Sequence, residues 1–430
     1  MRILMGAQNC GFGPASVLVA VSRLLSGHER VHERVFVGDS ISAAFAHRNA
    51  AAFNAVHEIN EPHEHASVPS LDRLMANSDY VISAMDADLV LRAFVARRPV
   101  LLVDCLFGFW QHRTPLTRIH ELCATLPRTS LPAARHHLSC LSPHERVLAA
   151  HLLADHSVVQ NFPGVSRRIA ELTGGAGTDH TMLLTGPLVD LEGIKAAETE
   201  TGTDEPATGE PDYDLLINTG GFKNFLLDFE ANNAYLQLIH RWIPDMLTDW
   251  PRFTRVLLCG GPYTGPRATV LRTASRQHVD RRLLPQRELL RHVARTPHSF
   301  LAPGLSALHE TTLLGRFPLA LHEQHYAHTF TVRNLADTLF GRLAARFTDV
   351  LPGHPLPEDD YSGTQALVAV AGRILEDDRL YARFRRTFNQ RIEQYLALSP
   401  QQRATGVTEL RRLLDGPPAP AVIASILTAR

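Results

Sequence analysis

The residues able to do chemistry sit in a few turns. Gly11-Phe12-Gly13-Pro14-Ala15-Ser16 follows a short apolar run and leads into a helical stretch. Glycine lets the backbone turn tightly and lets a ligand approach it closely. A helix N-terminus adds unpaired N–H groups at the positive end of the helix dipole. Ser16 replaces the third glycine of the G-x-G-x-x-G dinucleotide fingerprint, so the segment reads either as a ligand loop or as a plain strand–helix turn. Asn218-Thr219-Gly220-Gly221-Phe222-Lys223-Asn224 carries more: paired glycines and one of the chain's two lysines, Lys195 being the other. Exposed backbone N–H groups beside an ammonium suit phosphate oxygens, the alternative being a surface lysine in a turn. Cys259-Gly260-Gly261-Pro262 repeats the double-glycine arrangement, and Pro303-Gly304-Leu305-Ser306 turns into a helix carrying Glu310 and ended by Gly315.

Two further groups resemble metal sites. Asp86-Ala87-Asp88 has the D-x-D form, but it opens a helix, where aspartate is a common N-cap. His322, His325 and His328 lack the H-E-x-x-H spacing and suit polar sugar contacts or solvated side chains better than a metal. No metal is expected.

The elements that must position these turns alternate between apolar runs and helical stretches. Strands are expected at Ile3–Met5, Val35–Gly38, Tyr80–Ala84, Pro99–Val103, Ser157–Gln160 and Met182–Thr185. A second series has strands at Asp214–Asn218, Arg255–Cys259, Ser299–Ala302 and Leu319–Leu321. Such alternation implies parallel sheets covered by helices. Between the series, the acidic, threonine-rich segment from Leu191 to Pro211 has little to bury and is expected to be a flexible linker. From Gln365 onward the pattern is helical, including Leu375–Leu396 and Val407–Leu414.

A chain of 430 residues has room for two or three domains. Its net charge of -1 excludes the basic surplus of a general nucleic-acid binder. The apolar N-terminal run, Ile3-Leu4-Met5, is too short for a signal-peptide core or a membrane span. Five scattered cysteines fit reduced thiols rather than a disulfide framework. The expectation is a soluble cytoplasmic protein, monomeric or homodimeric, handling small molecules with no nucleic acid or membrane partner.

The run from Pro303 to Pro318, with its glycine turn, helical glutamate and G-x-x-P step, resembles the nucleotide-sugar site of two-domain GT-B glycosyltransferases, especially the lipid II N-acetylglucosaminyltransferase group. Phe317 is a one-residue insertion into that step. Asn334 matches the asparagine that ends the family's sugar-binding stretch, whereas the paired glutamines before it are absent. Gly186-Pro187-Leu188 sits where such enzymes leave the first domain. A narrower likeness, carried by GFGPAS, the GGF turn and the arginine-rich composition, is to actinobacterial cytosylglucuronate synthases of nucleoside-antibiotic biosynthesis.

The resemblance implies an α/β fold of two Rossmann-like domains facing a central cleft, with a helical tail. Residues 1–190 would bind the acceptor, 191–212 would be the acidic linker, 213–360 would bind the nucleotide sugar and 361–430 would be the tail. It implies a glycosyltransferase using a UDP-sugar co-substrate, UDP-glucuronate and cytosine being the narrow pair, with no obligatory metal. An epimerase or hydrolase of the same fold acting on a UDP-sugar is the alternative enzyme, and a non-catalytic partner protein the third reading. Glu310 would bind ribose; Gly220, Gly221, Gly261, Gly304, Leu305 and Ser306 would surround phosphate. Lys223, Thr329, Arg333 and Asn334 would complete the donor site, with Lys223, Arg267 or Arg333 pairing any sugar carboxylate. Gly11, Phe12, Gly13, Phe107, Phe109 and Trp110 are the acceptor candidates. Asp104 is the first candidate base, since a carboxylate beside aromatics can take a proton from a flat acceptor stacked on them. Its competing reading is a helix cap beside core aromatics; Asp86 and His112 are the other base candidates.

Overall fold

The computed structural model describes residues 1–59, 69–174, 181–201, 212–221, 233–261, 269–272 and 277–428. The chain divides into two compact units, residues 1–190 with 413–430, and residues 191–412.

Unit 1 runs β1 (Arg2–Ala7), α1 (Phe12–Leu24), β2 (Glu33–Gly38), α2 (Ser40–Arg48), β3 (Ala55–Glu58), α3 (Pro69–Ala76), β4 (Tyr80–Ala84), α4 (Ala87–Val95), β5 (Val100–Asp104), α5 (Leu116–Ala124), α6 (Leu131–His137), α7 (Pro143–Leu153), β6 (His156–Gln160), α8 (Val165–Thr173) and β7 (Thr181–Thr185). Among the described residues its strands form one parallel sheet in the order β3-β2-β1-β4-β5-β6-β7. β4 (YVISA) and β5 (VLLVD) are buried at every position, as a strand covered by helices on both faces requires. Leu4, Val81, Val90, Leu102 and Ala150 lie in that core. α7 starts with a capping box, Ser142 and Glu145 bonding each other's backbone N–H, with Pro143 at the first helical position.

Unit 2 runs α9 (Leu191–Thr201), β8 (Leu215–Asn218), α10 (Ala234–Asp249), β9 (Arg255–Cys259), β10 (Thr269–Arg272), β11 (His278–Arg282), α11 (Gln286–Arg295), β12 (His298–Leu301), α12 (Leu305–Leu313), β13 (Leu319–Ala320), α13 (Tyr326–Asn334), α14 (Leu339–Leu343), α15 (Phe347–Val350), α16 (Asp360–Glu376), α17 (Asp378–Leu396) and α18 (Pro400–Leu414). Its described strands take the order β10-β11-β9-β8-β12-β13, parallel except for β10 at the edge. α17 buries Tyr381, Phe384, Phe388, Ile392 and Tyr395, spaced three or four apart as one helical face demands. The α/β class and the helical tail therefore stand as the sequence implied. Among the described residues no helix is long and apolar enough to cross a membrane.

Two expectations change. The first half of the acidic segment is helical: α9 places Ile194 and Ala197 in a buried stripe against α11, and Glu192 pairs with Arg287 at 3.2 Å. The rest of that segment, 202–211, lies outside the described residues. The tail is not one body either, because α19 (Ala419–Thr428) belongs to unit 1 and packs on β6 and β7.

Just before α19, the chain lies backbone to backbone against the end of β7. Gly186 N–H donates to the Pro417 carbonyl at 2.7 Å, and Asn161 Nδ2 donates to the Asp415 carbonyl. A Cβ on Gly186 would stand 2.9 Å from the Gly416 carbonyl oxygen, closer than the backbone can accommodate without shifting. Gly186→Ala is accordingly expected to destabilise unit 1 by about 1–3 kcal/mol, as overpacking does. Denaturant midpoints of the two proteins measure it, and equal midpoints would refute the clasp.

Candidate functional site

In unit 2 the carboxyl ends of the parallel strands lie along one edge, with Asn218, Cys259, Leu301 and Ala320 in neighbouring register. The strand order reverses between β8 and β12, the place where open α/β sheets hold ligands. Three glycine turns meet there. Gly220 adopts φ +66° and a Cβ on it would lie 3.8 Å from Ala302 Cβ. Gly260, at φ +84°, sits so close to Gly220 that a Cβ would come within 2.4 Å of the Gly220 carbonyl oxygen. Gly261 N–H donates to that carbonyl at 2.5 Å, and Ala302 N–H donates to the Asn218 carbonyl at 2.8 Å. Positive φ and close approach both require glycine, which is why the paired glycines appear in the sequence.

Gly304 is the N-cap of α12 and gives it no side-chain cap, leaving the first N–H groups of Leu305 and Ser306 to find other partners. Glu310, 5% exposed, lies in the same helix, and its Oε1 accepts from Gln286 Nε2 at 2.7 Å. Gln286, the first residue of α11, was not picked out from the sequence. The charged run HVDRR of β11 hid the strand that delivers it to this edge.

Beyond β13, the His322–Thr329 stretch divides by function. His322 packs among Phe347, Phe384 and Phe388 at ring distances of 5.0, 4.7 and 4.9 Å, and burial lowers its pKa to about 3. Glu323 Oε2 accepts from Phe347 N–H at 3.0 Å. Gln324 Oε1 and Thr329 Oγ1 are buried and have no hydrogen-bond partner among the described residues, as does His309 Nε2. Unpaired buried polar atoms cost free energy, and a polar ligand in reach of these three would offset it. Arg333 and Asn334 do not join them. They are exposed on the last turn of α13, roughly 12 Å along the axis from its first residue at 1.5 Å per residue. Arg333 pairs with Glu358 at 3.1 Å, and Asn334 Nδ2 donates to the Phe330 carbonyl at 2.9 Å. Lys223 and Arg267 lie outside the described residues.

In unit 1 the strand order reverses between β1 and β4. Gly11 is extended at the start of α1, and the Phe12 ring lies 5.2 Å from Phe45. Gly13 is half-buried in the first turn of that helix. Asp86 caps α4, accepting from Asp88 N–H at 3.0 Å and Leu89 N–H at 3.1 Å, while Asp88 pairs with Arg92 and Arg135, both at 2.7 Å. The D-x-D segment is thus a cap and an ion-pair hub. His112 is half-buried, its Nδ1 3.0 Å from the Thr114 carbonyl.

Asp104 corrects the expectation of an accessible base. Its side chain is 0% exposed and both oxygens are engaged: Oδ1 accepts from Leu106 N–H at 2.6 Å, and Oδ2 from Trp110 Nε1 at 2.5 Å and His151 Nε2 at 2.9 Å. His151 Nδ1 continues to Ser157 Oγ at 3.1 Å. The aromatics are core as well. Phe107 lies edge-on to His151 at 4.8 Å, and Phe109 and Trp110 pack with each other and with His144. Glu145 holds the following loop, accepting from Arg113 and Thr114 N–H at 2.8 and 2.7 Å. Burial opposes its ionisation, but the Thr114, Ser142 and Arg113 backbone donors prevail and lower its pKa to about 2.

No protein-family model matches the chain, and no curated protein matches it. Solved structures similar to it include the UDP-GlcNAc 2-epimerase from Neisseria meningitidis bound to UDP-GlcNAc, at 11% identity and a TM-score of 0.45, covering 89% of this chain and 94% of that one. A UGT transferase from Siraitia grosvenorii in complex with UDP shares 10% identity at a TM-score of 0.42, over 95% and 99% of the two chains. LpCGTa in complex with UDP shares 10% at 0.47, over 97% and 100%. These likenesses are too loose to decide function; the two α/β units rest on the strand order of the chain itself.

Proposed function

We propose that unit 2 binds the diphosphate and ribose of a nucleotide sugar and that the protein is a glycosyltransferase of GT-B type. The observation that carries this reading is the meeting of the Gly220, Gly260 and Gly304 turns at the uncapped head of α12, with Glu310 buried in that helix. Backbone N–H groups at a helix N-terminus favour phosphate, and a carboxylate accepts from ribose hydroxyls. Gln286 orients Glu310, and Gln324 and Thr329 supply unpaired polar atoms for the sugar. By the family resemblance the nucleotide is UDP. UDP-glucuronate with cytosine as acceptor is the finer pair to assay, with product mass as the readout; coupling of another pair but not this one would reject it.

Isothermal titration with UDP tests the site. Wild type is expected to bind, and Glu310→Ala to weaken binding tenfold or more as the charged hydrogen bonds to ribose are lost. Unchanged affinity in the variant would displace Glu310. Absence of binding in wild type would favour a non-catalytic protein.

The burial of Asp104 leaves the transferase without the base first assigned to it, and this favours keeping one alternative. An epimerase or hydrolase working on a UDP-sugar alone binds no separate acceptor molecule, so Asp104 is not required to deprotonate one. Incubating UDP-sugars without acceptor separates the two, because release of UDP or formation of an epimer would overturn the transferase reading.

A further inference from the structure

We propose that His328 is the side-chain donor that completes the seat for the terminal phosphate of a nucleoside diphosphate at the head of α12. The inference rests on the nucleotide-sugar reading of unit 2 and adds to it a residue that the glycine turns do not reveal.

His328 is the third residue of α13 and is 6% exposed. Its Nδ1 lies 3.3 Å from the backbone nitrogen of Gln324. A backbone N–H can only donate, so Nδ1 is the acceptor, and a neutral imidazole then carries its proton on Nε2. Burial lowers the pKa of this ring to about 3, which keeps it in that neutral form near pH 7. The loop backbone therefore fixes the tautomer.

That Nε2–H faces Gly304. It stands 3.7 Å from the point where a Cβ on Gly304 would lie, and among the described residues it has no hydrogen-bond partner. Gly304 is the N-cap of a nine-residue helix whose first N–H groups receive no side-chain cap. Two kinds of donor thus converge on one small volume: the backbone of Leu305 and Ser306, and an imidazole N–H from a different element. A helix N-terminus alone prefers an anion of any kind; the added directional donor selects one with an oxygen at that point. The His325 ring packs against it, tilted by 38° with its centroid 3.8 Å away.

The charged groups at the end of α13 and around the head of α16 are occupied elsewhere. Arg333 and Glu358 pair beside Tyr326, and Asp360 at the head of α16 accepts from Thr364 Oγ1 at 3.3 Å. Asp359 accepts from Ser362. The proposed contact is therefore a neutral donor to an anion rather than an ion pair.

The test compares UDP with UMP, which lacks the terminal phosphate, by titration calorimetry on the full chain. His328→Phe keeps a ring of similar size and removes the donor. It is expected to weaken UDP binding about tenfold or more while leaving UMP affinity within about twofold. Gly304→Ala gives a second route, because its methyl group would fill the space between the imidazole and the helix head without backbone strain. It should also weaken UDP more than UMP. Wild-type-like UDP affinity in His328→Phe would overturn the assignment while leaving the nucleotide site standing. Equal loss of UDP and UMP would overturn it too, by showing that the ring only supports the fold. Absence of UDP binding in wild type would overturn both this inference and the nucleotide-sugar reading.

Discussion

Asp104→Ala is expected to destabilise unit 1 by about 3–5 kcal/mol, the range seen when one partner of a buried charged or hydrogen-bonded pair is removed. The alanine would leave Leu106 N–H, Trp110 Nε1 and His151 Nε2 without their acceptor, in a place closed to water. Asp104→Asn preserves size but turns an NH2 group toward one of those N–H donors, so part of the loss should persist. Trp110 bonds directly to the carboxylate, and its fluorescence in a denaturant titration should report the lowered midpoint. A variant with wild-type stability and no turnover would restore Asp104 as the base. The expected outcome makes Asp104 the hub that joins β5, α7 and the Phe107–Trp110 turn, and sends the search for the acceptor base elsewhere.

The second large effect is acid lability of unit 2. His309, His322 and His328 are buried, and burial lowers their pKa values from 6.5 to about 4, 3 and 3. Between those values and 6.5 the unfolded chain binds more protons than the native one. The stability these rings contribute is therefore whole above pH 6.5 and is lost as pH falls toward the folded values. By pH 5 each is expected to have forfeited about 2 kcal/mol. Glu323 runs the other way: burial outweighs the Phe347 N–H and raises its pKa from 4.5 to about 7, so its contribution falls as pH rises through 7. His322→Phe suits the aromatic cage of Phe347, Phe384 and Phe388 and removes one titrating ring. Its stability gain over wild type should grow by about 2 kcal/mol between pH 8 and pH 5, measured by urea unfolding at both. A constant difference would show that His322 does not titrate on unfolding.

Several features were legible in the amino-acid order itself. β4 and β9 span the residues their apolar runs indicated, Tyr80–Ala84 and Arg255–Cys259, because a strand buried on both faces must be apolar throughout. The paired glycines marked turns because Gly220, Gly260 and Gly261 all adopt positive φ, which few other residues tolerate. Asp86 could be read as a cap, since capping is local. β3, β10 and β11 were not legible: AVHE becomes a strand through parallel pairing with β2 across α2, HVDRR through parallel pairing with β9, and TVLR only as the antiparallel edge partner of β11. α9 was missed because its apolar stripe is short and gains stability only from α11.

The sequence by itself determined two α/β series and the turns that could meet a ligand. Only the tertiary structure decided what each polar residue does. Asp104 and His151 lie 47 positions apart, as Glu310 and Gln286 lie 24 apart, and Gly304 and His328 are equally remote along the chain. Whether a carboxylate is a base or a hub depends on desolvation and on the donors around it. Those are set by which segments the hydrophobic core brings together, and no local pattern of residues encodes them.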